Sequence, residues 1–365
     1  MSETLYQASH QWMSRPDDQR FASLTDLNAF CENDRARSIG RVVSTRALEA
    51  RPVENDTKAL VVYNRENERI ATPTHWAFGQ LASRAGAPAN YLRDLPGALA
   101  ADCINYGLKY QRDVEDIGVL VYKNGGPAEL RAVTGPNYGR VWNAQITRAL
   151  VDRFGDGITG DFRVPGEFGK AVEVTKKNTT LYASDRDMFV FLADEEHRIS
   201  MPNRRDGKRG DLARGFFVWN SQVGRTTFGV ALFLFDYVCC NRMVWGAEGY
   251  AEIKFRHTAS APDRWLEEVY PAISAYANAS EQPIVAAIEA AQSKKLQDVD
   301  DFLRSRYSGN MSNAIKAVHM AEEGRPVETL WDAATAITAY ARELPHQDVR
   351  VEMEREAGKI LRLAA

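Results

Sequence analysis

The stretch "GFFVWNSQVGRTTFGVALFLFDYVCC", residues 215–240, decides the fold of this chain. It contains two runs rich in aromatic and β-branched residues, which favour β-strands. The segment "NSQVGRTT" between the runs carries the Asn, Ser and Gly residues that are typical of a bulge or a hairpin turn. We therefore predict two neighbouring strands, over 215–220 and 227–238.

Similar patterns predict further strands and helices on both sides of this stretch. A helix is predicted in "THWAFGQLASRAG", with Thr74 as its N-cap and Gly86 as its C′ residue. After residue 258, helix formers dominate and β-branched runs disappear. The remaining predicted strands are two within 40–64, a hairpin over 116–134, and single strands over 171–176, 187–193 and 250–256.

The order of these elements predicts an α+β protein. We expect an antiparallel curved sheet over 115–257 with helices on one face, followed by a helical C-terminal region. The predicted division is an N-terminal α+β region over 1–115, a strand-rich core over 116–258 and the helical region over 259–365. A chain of 365 residues exceeds the usual size of one hydrophobic core, so one large or two smaller domains are expected.

Composition and charge restrict the classes of function. The formal net charge is -3, so any nucleic-acid site must be a local cationic patch. The four cysteines form no CxxC pair, which predicts buried free thiols in a reducing compartment. The first residues do not resemble a secretion signal, and no run of about 18 apolar residues occurs. We therefore expect a cytoplasmic protein without a membrane span.

A basic, glycine-containing loop over 197–214 precedes the first of the two strands. It carries six Arg and Lys residues and only two carboxylates, Asp206 and Asp211. Because cations contact phosphates and aromatic faces stack on bases, a basic loop beside aromatic strands suits single-stranded nucleic acid. The alternative is a solvated loop beside a core strand with buried aromatic side chains. The aromatic residues concerned are Phe216, Phe217, Trp219 and Phe228.

Cations further along the chain extend this candidate interface. Arg225 lies at the predicted turn, and "KFRHT" places Lys254, Arg256 and His257 at a basic strand end. The alternatives are a structural turn at Arg225 and a structural hydrogen bond at His257. The predicted nucleic-acid-binding residues are Arg198, Arg204, Arg205, Lys208, Arg209, Arg214, Arg225, Lys254, Arg256 and His257.

Several short motifs occur in an order that resembles a known family. They are Asn-Ser-x-x-Gly at 220–224, Cys-Asn at 240–241 and Arg-His-Thr at 256–258. In this order they resemble the phage/plasmid-like family catalogued as domain of unknown function 932, over roughly residues 70–345. The loop "TGPNYGR" at 134–140 departs from that family's Ser-x-x-Tyr pattern. The resemblance implies a mobile-element setting and supplies no activity.

These observations favour a nucleic-acid-binding protein of phage or plasmid type, for single-strand binding or annealing in recombination. We expect single-stranded DNA as its partner and a homo-oligomer as its assembly, since repeated subunits multiply modest phosphate contacts. One alternative is a metal-dependent nuclease that uses Asp236, Glu252 and Lys254. Another is an interaction protein that inhibits a host factor. The chain lacks GxSxG, HExxH, GxGxxG and zinc-ligand spacings, so no catalytic residue, metal or cofactor is predicted.

Overall fold

The structure is a computed structural model that describes residues 15–111, 113–165, 173–201, 210–236, 242–243, 252–344 and 347–364. Within these residues the protein is a mixed α+β protein, with a curled sheet and a helical C-terminal region. The predicted fold class is therefore confirmed. No helix of the described residues is both long enough and apolar enough to span a membrane.

The helices are α1 (Leu24–Arg37), α2 (His75–Arg84), α3 (Ala89–Asp94), α4 (Gly97–Tyr106), α5 (Asn143–Phe154), α6 (Ala261–Arg264), α7 (Tyr270–Asn278), α8 (Gln282–Ser293), α9 (Val299–Arg304), α10 (Gly309–Glu323), α11 (Leu330–Arg342) and α12 (Gln347–Arg362). Two π-helical segments, Gly107–Gln111 and Trp265–Val269, extend α4 and join α6 to α7. The strands are β1 (Ser38–Ser44), β2 (Leu48–Val53), β3 (Asp56–Asn64), β4 (Arg69–Pro73), β5 (Asp116–Tyr122), β6 (Glu129–Thr134), β7 (Phe162–Arg163), β8 (Leu181–Ala183), β9 (Met188–Asp194), β10 (Ile199–Met201), β11 (Gly210–Asn220), β12 (Phe228–Asp236), β13 (Arg242–Met243) and β14 (Glu252–Phe255).

The first sheet has six strands in the order β1-β5-β6-β4-β3-β2. The predicted hairpin over 116–134 is present as β5 and β6, which pair in antiparallel fashion. On its two sides the hairpin pairs with β1 and β4, both of which precede residue 115. The predicted boundary between residues 115 and 116 therefore falls inside one sheet. The predicted boundary depended on local composition, whereas the sheet depends on the pairing of β5 and β6 with strands from the N-terminal region.

Helices α2 and α4 cover one face of this first sheet. Helix α2 begins as predicted, because the Thr74 side chain accepts a hydrogen bond from the backbone N–H of Ala77. Gly86 follows the helix with a φ of 72°, the left-handed conformation that favours glycine. Leu81 and Ile104 from the two helices are buried against the strands, in one apolar cluster.

The second, curled sheet has eight strands, and its central path is β13-β12-β11-β9-β7. Strand β14 also pairs with β12, and the shorter β8 and β10 pair with β9 and β11. The predicted strands over 187–193, 215–220, 227–238 and 250–256 correspond to β9, β11, β12 and β14. The prediction over 171–176 was wrong for residues 173–176, which form no strand, and residues 171–172 lie outside the described residues.

One face of the curled sheet packs against helices α1 and α5 and the continuous helix α6–α7. Side chains alternate along each strand, so Phe216 and Val218 of β11 face these helices while Phe217 faces the opposite side. The Trp265 side chain on the α6–α7 helix is buried against Phe228 of β12, with ring centroids 5.6 Å apart.

Helices α8 to α12 form a separate apolar cluster that also contacts the curled sheet at Leu212 and Leu234. The predicted apolar stripe of α11 is used inside the chain, because Leu330, Ala334 and Ile337 are buried in this cluster. These three side chains are therefore not available as a subunit contact. Of the cysteines, Cys31 is buried and Cys103 is exposed, both as free thiols, and Cys239 and Cys240 lie outside the described residues.

Candidate nucleic-acid interface

The turn between β11 and β12 is held by buried polar contacts to helix α1 and to the start of helix α5. The Asn220 side-chain amide donates to Val141 O at 2.8 Å and to Asn143 Oδ1 at 2.7 Å. Gln222 accepts from the Asn143 backbone N–H at 3.1 Å and donates to Asp34 Oδ2 at 3.1 Å. Buried polar groups are costly unless they are paired, so these contacts define one arrangement of the turn.

The carbonyl oxygens of this turn hold the "TGPNYGR" loop and helix α2. The Tyr138 hydroxyl donates to Ser221 O at 2.7 Å, and Arg140 Nε donates to Gln222 O at 2.8 Å. On the other element, the Trp76 indole N–H and the Gln80 amide both donate to Val223 O, at 3.0 and 2.8 Å. The loop over 134–140 is therefore a structural partner of the turn over 220–224.

The same loop also contacts the residues that follow β14. A Cβ on Gly139 would lie 1.8 Å from Thr258 O, so only glycine permits this close approach. The Gly139 N–H donates to His257 O at 3.1 Å, and His257 Nδ1 lies 3.2 Å from Gly139 O. Two loops that are distant in sequence are thus joined backbone to backbone.

Cations and aromatic rings alternate along this junction, in an arrangement that we call the cation–aromatic row. The Arg35 guanidinium lies 3.9 Å from the ring centroid of Trp142, and that of Arg140 lies 5.4 Å from the same ring. Arg140 also lies 5.5 Å from the Tyr138 ring, which stacks on His257 at 4.9 Å. The row runs from the end of α1 to the end of β14. Its members are Arg35, Trp142, Arg140, Tyr138 and His257.

The row is cationic and lacks carboxylates. Within the described ranges neither Arg35 nor Arg140 forms an ion pair with an Asp or Glu. Burial lowers the pKa of Arg140, and the charge of Arg35 lowers it further, although the phenol of Tyr138 opposes the change. Because arginine stays protonated in proteins, two neighbouring positive charges without an ion-pair partner among the described residues form a candidate site for anions.

An open cleft of about 950 Å³ lies beside the row, and the two share Tyr138. Trp76, Thr134 and Gly224 also line the cleft. Arg93 lies there too and donates to His75 O at 2.9 Å. This volume is in the range of sites that hold small organic groups.

The ten predicted residues do not form one cluster. Arg204, Arg205, Lys208 and Arg209 lie outside the described residues. In the sequence they stand between Met201 and Gly210, which pair at one end of β11. Arg225 follows the other end, and an eleven-residue strand places the two ends roughly 34 Å apart. Lys254, opposite Gly229 of β12, and the adjacent Arg256 and His257 lie near the Arg225 end.

The other predicted cations differ in their surroundings. Arg198 is partly exposed and pairs with Glu195 at 2.8 Å. Arg214 is buried, donates to Tyr276 O at 3.3 Å and lies 3.7 Å from Asp194 Oδ2, so its role in the described structure is structural. Arg225 pairs with Asp187 at 3.1 Å. Lys254 and Arg256 are exposed, and no ion pair with a described residue involves them.

The interpretation of the strand aromatics as a base-stacking platform was wrong for three of the four residues. Phe216, Phe217 and Phe228 are buried, because helices cover one face of the sheet and aromatic neighbours fill the other. Trp219 alone keeps partial exposure. The cationic residues of this interface are therefore accompanied by Trp142 and Tyr138 rather than by the aromatic residues of β11 and β12.

The geometry counts against the nuclease alternative. Glu252 pairs with Ala231, five residues before Asp236 on β12, so the backbone positions of the two acids lie roughly 17 Å apart along the strand. Carboxylates that share one ion must converge within a few ångströms of it. Among the described residues no group of three His, Cys, Asp or Glu side chains could hold a metal ion.

Sequence reasoning missed Arg35, Tyr138, Arg140 and Trp142. A signal for three of them is present in "YGRVW", where the alternate residues Tyr138, Arg140 and Trp142 are aromatic, basic and aromatic. Alternate side chains of an extended segment lie on one side of it. Arg35 carries no comparable signal, because it joins the row only through the packing of α1. Comparison with known protein families, curated proteins and solved structures finds no match to this chain, so the resemblance to the phage/plasmid-like family stays a prediction.

Proposed function

We propose that the protein binds single-stranded nucleic acid along the cation–aromatic row. The observation that carries this proposal is the alternation of guanidinium groups and aromatic rings without a carboxylate partner among the described residues. A polyanion supplies the missing counter-charges, and each bound phosphate releases counterions from the nucleic acid. The exposed Lys254 and Arg256 lie next to His257 in sequence and extend the cationic surface.

The row holds its guanidinium groups in place before any ligand arrives. Trp142 and Tyr138 contact Arg35 and Arg140 through cation–π interactions, and Gln222 O fixes Nε of Arg140. A planar guanidinium can stack on a base while its N–H groups bind phosphate. Preorganised cations lose less side-chain entropy on binding, which favours affinity.

A single strand suits this surface better than a duplex. The cleft that shares Tyr138 with the row has room for bases that turn away from their phosphates, and Trp76 and Tyr138 line it. Bases of a duplex are paired and stacked, so they cannot enter such a cleft without the cost of unpairing. The proposal therefore includes a preference for single strands, with DNA as the expected form.

Fluorescence anisotropy with labelled single-stranded DNA, single-stranded RNA and duplex DNA tests the proposal. The variant Arg35→Glu reverses a charge of the row at an exposed position, and Lys295→Glu makes the same change at an exposed position outside it. We expect Arg35→Glu to weaken single-strand binding about tenfold or more, because one favourable contact becomes repulsive. Lys295→Glu should change the affinity less than about twofold, and thermal unfolding should show both variants folded. Equal losses in the two variants would contradict a local site.

Two further measurements separate the alternatives. Labelled DNA incubated with the protein and Mg²⁺ should stay intact, and Mg²⁺-dependent cutting that is lost in Glu252→Ala would favour the nuclease. Light scattering coupled to gel filtration measures the assembly, for which we propose a mass above that of the 40.9 kDa chain.

A further inference from the structure

A small apolar pocket opens in the first sheet, and no residue of the cation–aromatic row lines it, although Gly40 of β1 lies next to the Arg140 guanidinium. We call it the β1 pocket. Its volume is about 60 Å³, and every strand of the six-stranded sheet contributes to its lining. The floor is apolar and includes Leu48, Val62 and Leu130, and the rim includes Arg41 and Lys123. No carboxylate is among the residues that line it.

The pocket exists because the first sheet curls. Strands β1 and β2 are the two ends of the sheet and have four strands between them. In a flat sheet a spacing of about 4.8 Å per strand would separate them by roughly 24 Å. Both strands nevertheless line one cavity of about 60 Å³, so the curl brings the two ends toward each other.

Strand β1 is an unpaired edge beside this pocket. Within the described part of the chain it pairs with β5 on one side only. Residues 39–42 are all exposed, whereas a strand with one covered face would alternate between buried and exposed residues. Ile39 and Val42 expose 37% and 57% of their surface. A long edge strand with exposed β-branched residues is a template for pairing with another strand.

The charges at the rim indicate which kind of strand fits. Arg41 and Lys123 are exposed, and neither forms an ion pair with a described residue. A basic or neutral segment would leave both cations without a counter-charge, whereas Asp or Glu side chains would pair with them. The apolar floor excludes a nucleic-acid base, which is polar at its edges, and accepts an aliphatic side chain instead.

We propose that an extended acidic segment of a partner protein adds to β1 as a strand and places one branched aliphatic side chain in the β1 pocket. Main-chain hydrogen bonds to β1 supply affinity, and the pocket and its two cations supply specificity. A free small ligand would gain little here, since affinity is limited by the number of atoms that such a cavity holds. This surface does not depend on the proposed nucleic-acid binding, so either can fail without the other.

Selection from a random heptapeptide library displayed on yeast, with the full-length protein as bait, tests the proposal. We expect enriched peptides to carry net negative charge and Val, Ile or Leu at one constant position. The best peptide is then synthesised and measured by anisotropy. The double variant Arg41→Glu/Lys123→Glu should weaken the affinity for this peptide at least tenfold. The control variant Arg46→Glu/Lys58→Glu makes the same change at exposed residues outside the pocket lining, and its affinity should stay within twofold of the wild type.

Two changes in the peptide separate strand addition from simple charge attraction. N-methylation of one alternating set of amides should abolish binding and N-methylation of the other set should not, because only one set of N–H groups faces β1. Replacement of the constant aliphatic residue by Ala should weaken binding.

Three results would overturn the proposal. One is a selection without enriched acidic sequences, and another is a peptide that binds the charge-reversed double variant equally well. The third is a dimer of the wild-type chain that Ile39→Asp dissociates, because a second copy would then occupy the edge.

Discussion

Tyr138 stacks on His257 with ring centroids 4.9 Å apart and ring planes 24° apart. A carbonyl oxygen only accepts hydrogen bonds, so His257 Nδ1, 3.2 Å from Gly139 O, carries the proton. Burial is the main reason that the pKa of His257 is lowered to about 4; the hydrogen bond with Gly139 O opposes this shift, and the charge of Arg140 adds a smaller lowering. At neutral pH the stack therefore contains an uncharged imidazole.

This stack predicts a loss of stability in mild acid. An unfolded His titrates near pH 6.5, so between about pH 6.5 and 4 the unfolded chain binds a proton that the folded chain does not. The contribution of His257 to the free energy of unfolding is present above pH 6.5 and lost as the pH falls toward 4. Urea unfolding of the wild type and His257→Asn at pH 7 and pH 5 measures it. Between pH 7 and pH 5 the free energy of unfolding should fall more in the wild type than in the variant. Equal decreases would show that groups other than His257 cause the acid sensitivity.

Gly229 of β12 lies directly opposite Trp219 of β11, and the indole ring occupies the space next to it. A Cβ on Gly229 would lie 1.9 Å from the ring. We expect Gly229→Ala to lower the free energy of unfolding by roughly 1–3 kcal/mol, the usual cost of overpacking. Gly309→Ala is the matched control, since a Cβ there has no neighbour within 4 Å, and it should be neutral or slightly stabilising. Chemical denaturation of both variants checks the difference.

The salt dependence of nucleic-acid binding should report the number of phosphate contacts on the proposed surface. The triple variant Arg35→Ala/Lys254→Ala/Arg256→Ala removes three exposed cations. For a single strand each lost contact should reduce the slope of log K against log salt by about 0.7, which gives a total of about 2. Anisotropy titrations at several salt concentrations measure the slope. An unchanged slope in a folded triple variant would place the binding surface elsewhere.

The basic loop and the cation–aromatic row should be separable by the length of the oligonucleotide. The ends of β11 are roughly 34 Å apart, and Met201 and Gly210, the described residues that flank the basic segment in sequence, lie at the end away from the row. Replacement of Arg204, Arg205, Lys208 and Arg209 by Ala should therefore weaken a long single strand and leave one of about four nucleotides, near the smallest known site sizes, unaffected. Unchanged affinity for the long strand would show that these four cations do not contact the nucleic acid. Weakened binding of the short strand would show that they act in the same site as the row.

Local patterns in the sequence predicted the elements that depend on short-range chemistry. The hairpin over 116–134 follows from two β-branched runs around a Gly-containing turn, and helix α2 follows from Thr74 and Gly86 at its ends. The strand pair β11–β12 follows from the two aromatic runs around "NSQVGRTT". In each case the deciding interactions lie within a few residues of each other, so they can be read along the chain.

Burial and charge pairing could not be predicted in this way. The same aromatic residues suit an open base-stacking face and a covered core, and only helices α1 and α5 and the α6–α7 helix decide that Phe216 and Phe228 are buried. The basic character of Arg214 is equally visible in the sequence, but Tyr276 and Asp194 contact it across the chain and leave it in the interior.

The sequence by itself determined the α+β class, the hairpins, the caps and the helical character of the last hundred or so residues, because propensity and periodicity act over one or two turns. The tertiary structure alone decided that β5 and β6 belong to the first sheet and that Met201 and Lys254 lie toward opposite ends of β11. It also brought Arg35 of α1 over Trp142. These relationships involve residues that are tens of positions apart in the sequence, 107 in the case of Arg35 and Trp142. The free energy that decides them comes from packing and from the pairing of buried polar groups, which no local pattern encodes.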